Sequence, residues 1–200
     1  MTQYYSGGNL DDYLAHFKVK ILPEEMVKQI GRKLSQTIFD LKKLGILHRD
    51  LTFQNIYMSD LTDSAVPYIG DFSLAKYHSE DKPEIELCGT KGYMAPEVIQ
   101  GWTYSFKVDV WGLGIIIYKL ICGYLPFPFP VGDLYEKTLK DYAKLFIDNI
   151  VEYQREDWFL ISTPLMDLLS LMLRKESTTD FSRKKILGEE DLEEVRISIS

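Results

Sequence analysis

The hydrophobic pattern of the chain divides it into helical stretches separated by short polar runs. After Pro23-Glu24-Glu25, the residues Val27, Ile30, Leu34, Ile38 and Leu41 recur at steps of three and four, and Gly45 follows. That spacing predicts an amphipathic helix opened by proline and stopped by glycine. Val108 to Cys122 is apolar on nearly every face and ends at Gly123. It predicts a helix buried at the centre of the domain. Leu134 to Tyr153 predicts a further amphipathic helix, and Thr163-Pro164 opens another that runs to Arg174. At the start, Met1 to Ser6 reads as extended and Gly7-Gly8 as a turn. Asn9 then caps a helix with Asp11 and Asp12 in its first turn. Two short extended runs, Ile56 to Met58 and Val66 to Ile69, flank the turn-rich Ser59-Asp60-Leu61-Thr62-Asp63-Ser64 and predict a hairpin. The pattern is mainly α with a small β element.

The polar residues at the ends of that hairpin carry the chemistry. His48-Arg49-Asp50-Leu51-Thr52-Phe53-Gln54-Asn55 leads into the first strand, and Asp71-Phe72-Ser73 leaves the second. Pairing the strands brings Asn55 and Asp71 to the same end. Two hard oxygen donors there suit Mg²⁺, which takes few protein ligands and completes its shell with phosphate and water. Asp50 sits beside them as a carboxylate able to accept a proton. Each residue also has a plainer reading: Asp50 as a solvated loop acid, His48 as a packed core histidine, Asn9 as a helix cap.

Composition narrows the classes. The chain has 200 residues, 46% of them hydrophobic and 13% aromatic, which suits one folded domain with a sizeable core. A net charge of −7 argues against a nucleic-acid binder or an anionic-membrane binder. Two cysteines, Cys88 and Cys122, are too few for a disulfide framework, so a reduced, intracellular and cytoplasmic setting is expected. The first six residues show no leader pattern, and Val110 to Phe127, broken by Lys119, glycines and a proline, suits a core helix better than a membrane span.

The two polar segments resemble the catalytic loop and metal-binding segment of the eukaryotic protein kinases, H-R-D-L-x-x-x-N and D-F-G. Ala95-Pro96-Glu97 and the Asp109, Trp111-Gly112-Leu113-Gly114 stretch follow in the family's order. Gly89-Thr90 resembles the serine/threonine branch. The resemblance implies phosphoryl transfer from ATP to serine or threonine hydroxyls of a protein substrate, with ATP and Mg²⁺ as cofactors. It assigns Asp50 to the substrate hydroxyl, Asn55 and Asp71 to the metal and nucleotide phosphates, and Asn9 and Tyr57 to the nucleotide. Arg49 would pair with a negative charge on an activation loop running from Asp71 to Glu97. Glu86 is a candidate for that charge, standing where many members carry a phosphorylated threonine. Asp109 would accept hydrogen bonds from the backbone at His48 and Arg49, and His48 would pack on Phe72.

Several positions depart from the family pattern. The chain shows no Gly-x-Gly-x-x-Gly loop and no Val-Ala-Ile-Lys strand before the hinge region, so the resemblance covers the hinge and helical large lobe, residues 1–188, with a charged tail at 189–200. Thr52 stands where serine/threonine members carry a lysine, and Ser73 where they carry glycine. Asp180 stands where an arginine would pair with Glu97, with Arg183 close enough to substitute. Alternative expectations are therefore a kinase-like interaction module, or an inactive piece lacking the lobe that covers the nucleotide.

Overall fold

The computed structural model describes residues 4–79, 84–127 and 161–174. The expected helix at 134–153, the residues Asp180 and Arg183, and the tail at 189–200 lie outside these.

Helix α1, Leu10–Phe17, begins as its sequence dictates. The Asn9 side chain accepts from the Asp12 amide at 3.0 Å, and the Asp12 carboxylate accepts from the Asn9 amide at 3.1 Å. This reciprocal box satisfies two amides that a helix start leaves open. Helix α2, Glu24–Lys43, follows Pro23 and buries Val27, Ile30, Leu34 and Ile38 along one stripe. Gly45 reverses the chain at φ +70°, where a side chain would be strained.

Four strands follow, in two separate sheets rather than one small element. Strand β2, Ile56–Met58, pairs antiparallel with β3, Pro67–Ile69, with Ile56 opposite Ile69 and Met58 opposite Pro67. Strand β1, Ile46–Leu47, pairs with β4, Lys76–Tyr77, and the His78 amide donates to the Gly45 carbonyl beside them. Two-residue strands carry no alternation, so this second sheet had no signature in the sequence.

Helix α3, Pro96–Ile99, is short; α4, Lys107–Cys122, is the centre. It packs against α2 and against α5, Thr163–Met172. Ile115, Ile116 and Leu120 are fully enclosed, each contributing ~2 kcal/mol as an upper estimate. Two glycines let neighbours approach α4 closely. A Cβ on Gly112 would stand 3.0 Å from the Leu51 side chain, and one on Gly114 would stand 2.8 Å from Leu173. Gly112 thereby seats the polar loop that contains Leu51 directly on the core.

Candidate active site

Asp109 fixes the loop. Although only 2% exposed, it accepts from the His48 amide and the Arg49 amide, each at 2.8 Å. Burial pushes its carboxyl up, while those two amide donors pull in the opposite direction. The bonds hold Arg49 at φ +69°, a conformation that is costly for a residue with a Cβ. His48, fully buried, meets the Gly70 carbonyl through Nε2 at 3.0 Å and contacts Phe72 edge-on at 4.8 Å. The expected Asp109 and Phe72 contacts are both present.

Asp50 lies between two donors. One carboxylate oxygen accepts from the Thr90 amide at 2.8 Å and the other from the Asn55 side-chain amide at 3.0 Å. Asn55 also donates to the Asp50 carbonyl at 2.8 Å, so its amide nitrogen faces Asp50 and its oxygen faces away. The backbone of Asn55 accepts from Gly70 at 2.9 Å, which brings Asn55 and the segment entering Asp71 to one end of the β2–β3 hairpin. Asp71 is exposed and stands at φ +55°. The Ser73 hydroxyl, then its amide, holds the Asp71 carboxyl below the usual aspartate range. The serine that replaces glycine therefore supplies a donor to Asp71.

Thr52 precedes the half-turn Phe53–Asn55 and is 1% exposed, packed beside the loop rather than open to solvent. Asn9 and Tyr57 are neighbours through an antiparallel bridge, and the Tyr57 ring covers Gly70. The Asn9 side-chain oxygen is engaged in capping α1. Asp50, Asn55 and the hairpin end thus gather together, with Asn9 and Tyr57 one strand position beyond.

Arg49 faces the other way. Its Nε donates to the Leu74 carbonyl at 2.7 Å, and Nη1 donates to Glu86 at 2.8 Å and to the Tyr104 hydroxyl at 3.2 Å. Burial would lower the guanidinium, but the bonds to Glu86 and Tyr104 outweigh it and raise it above the ordinary arginine value. Arg49 in turn holds the Glu86 carboxyl below the usual range. The segment is pinned twice more. Lys76 pairs with the buried Glu84 at 2.7 Å, and the Tyr104 hydroxyl donates to the Glu86 carbonyl at 2.8 Å. Lys76, Glu84 and Tyr104 escaped the sequence reading, since nothing in their spacing marks them; only Glu84 near Glu86 in a long acidic stretch offered a hint.

Among the described residues, no group of three or more His, Cys, Asp or Glu side chains could hold a metal ion, and no helix is long and apolar enough to cross a membrane.

Comparison with known proteins identifies the family. Residues 1–190 match the family model described as the protein kinase domain. The chain is 30% identical over 192 residues to a probable myosin light chain kinase of Dictyostelium discoideum, covering 94% of this chain and 58% of that protein. It is 31% identical over 193 residues to calcium-dependent protein kinase 27 of Arabidopsis thaliana, covering 94% and 38%. It is 39% identical over 120 residues to the serine/threonine-protein kinase Nek9 of Xenopus laevis, covering 60% and 12%. The chain thus spans less than two thirds of the length of each of these relatives. The family match begins at the first residue, and the strands lie in the first half of the chain. This corrects the expectation of a mainly α, helical large lobe alone, which rested on the missing Gly-x-Gly-x-x-Gly loop and Val-Ala-Ile-Lys strand and gave little weight to strands of two or three residues. With the match extending from residue 1 to 190, the chain belongs to the protein kinase domain family.

Proposed function

We propose that the chain carries the phosphoryl-transfer centre of a serine/threonine protein kinase that uses ATP and Mg²⁺ on a protein substrate. The observation that supports this reading most is the position of Asp50, held between the Asn55 amide and the Thr90 amide at the hairpin end that bears Asp71. Phosphoryl transfer asks the protein mainly to position groups and stabilise charge. Asp50 orients the substrate hydroxyl and accepts its proton. The outward oxygen of Asn55 and the ionised Asp71 carboxylate are hard donors that fit Mg²⁺. When bound, the ion offsets the negative charge of the nucleotide phosphates. Asn9 and Tyr57 border the nucleotide, and Thr52 takes the place of a cation beside Asp50. Glu86 stands in for an activation-loop phosphate by occupying Arg49. Cys88 and Cys122 are free thiols, in keeping with an intracellular, cytoplasmic setting.

The test is purified protein with labelled ATP, Mg²⁺ and a generic serine- and threonine-bearing substrate. Incorporation is expected in the wild type and not in Asp50→Asn. A second reading, a kinase-like interaction module, is favoured by one feature: each Asp50 oxygen already accepts an amide hydrogen. Background incorporation by both proteins would favour that module.

A further inference from the structure

From Val108 to Cys122 every residue of α4 is buried except Lys119. A lysine whose side chain is only 22% exposed needs partners for its charge. Among the described residues it has three, from three elements. Its amine donates to Asp11 on α1 at 3.1 Å, lies 3.8 Å from the centre of the Phe53 ring, and reaches the Tyr93 hydroxyl at 3.5 Å. The second Asp11 oxygen accepts from the Gln54 side chain. Both carboxylate oxygens are therefore occupied, and the ammonium faces a carboxylate, a ring and a phenol. Burial, with the Asp11 charge adding to it, raises the Tyr93 phenol, so that partner stays neutral.

Phe53 and Gln54 are the half-turn between Asp50 and Asn55. Across it the Asn55 amide donates to the Thr52 carbonyl at 3.2 Å. Tyr93 links to the other Asp50 carboxylate oxygen: its amide donates to the Thr90 carbonyl, and the Thr90 amide donates to Asp50. We infer that Lys119 is a positioning residue, a brace that ties α1, the Phe53–Gln54 half-turn and Tyr93 together and so sets the Asn55–Asp50–Thr90 geometry. Its links to both carboxylate oxygens of Asp50, through the Phe53–Gln54 half-turn to Asn55 and through Tyr93 to Thr90, account for a cation in an otherwise apolar helix.

The brace rests on the proposed activity only for its kinetic readout, so the experiment has two arms, both on the full chain. Backbone hydrogen exchange is measured for Lys119→Met, which keeps an unbranched side chain without the charge, for Lys119→Arg, and for Asp11→Asn. Exchange at residues 53–55 is expected to rise in Lys119→Met and in Asp11→Asn, to stay near wild type in Lys119→Arg, and to leave α2 unchanged. In the kinase assay, Lys119→Met should lower kcat by about tenfold with KM for ATP and peptide unchanged, within the roughly hundredfold that a misplacement of about 1 Å can cost. Unchanged exchange at 53–55 in both Lys119→Met and Asp11→Asn overturns the brace, as does Lys119→Arg behaving like Lys119→Met. Should Lys119→Met fail to fold, Asp11→Asn, at a more exposed position, decides the question. A wild type without kinase activity would count against the proposed function, while the exchange result would still settle the brace.

Discussion

Two carboxylates hold the two sides of Arg49, and they do so in opposite environments. Asp109, 2% exposed, grips the backbone amides of His48 and Arg49 from inside the core. Glu86, with its side chain 57% exposed, grips the guanidinium from the surface. A buried acceptor cannot be exchanged for water, so losing it strands two amide donors. An exposed ion pair competes with water at all times and is worth little to the fold. The inner contact therefore belongs to folding, and the outer one to how often the 84–90 segment lies on the loop.

The largest effect expected from this contrast is on stability. Asp109→Ala leaves the His48 and Arg49 amides unpaired in the core and should lower the unfolding free energy by ~3 kcal/mol. Asp109→Asn, which keeps one acceptor oxygen, should lose less. Urea denaturation measures both, and an Asp109→Ala midpoint equal to that of Glu86→Ala would erase the distinction between the two carboxylates.

Next in size is the outer contact. Limited proteolysis within 84–90 should be faster in Glu86→Gln and faster again in Arg49→Ala, which also frees Leu74 and Tyr104. The double variant should match Arg49→Ala alone, because the two residues act as one pair. Equal cutting of all four proteins would make Glu86 an ordinary surface acid, and equal thermal midpoints alongside faster cutting would sharpen the separation of the two roles.

The smallest effect is on pH dependence. Glu86 has a folded pKa below its ordinary value of 4.5, so the pairing it contributes is complete above that value and is lost as pH falls through the lower folded one. The difference in 84–90 hydrogen exchange between wild type and Glu86→Gln should be constant from pH 7 down to 4.5 and close only below it. A difference that closes above 4.5 would mean Arg49 does not hold the carboxylate.

Much of the site was legible because its signals are local or carried by the family's motif set. The Asn9–Asp12 box, the β2–β3 hairpin and the α2 stripe follow from spacing alone. The Asp109 grip and the His48–Phe72 contact followed from the order of the motifs, which also made Glu86 a candidate partner for Arg49, across separations of 24 to 61 residues. The restriction to a helical large lobe did not follow, since it was drawn from two missing motifs, while the strands that are present are too short to alternate.

What the sequence by itself determined is the set of elements whose period or capping is written within a few residues, together with the polar residues gathered at the hairpin end. Tertiary structure alone decided the β1–β4 pairing, the Lys76–Glu84 bridge, the place of Tyr104 on Arg49, and the seat of Lys119 against Asp11 and Phe53. In each of these the partners lie on different elements, and a lysine on a buried helix or a tyrosine in a loop acquires its role only when packing removes the water that would otherwise satisfy it.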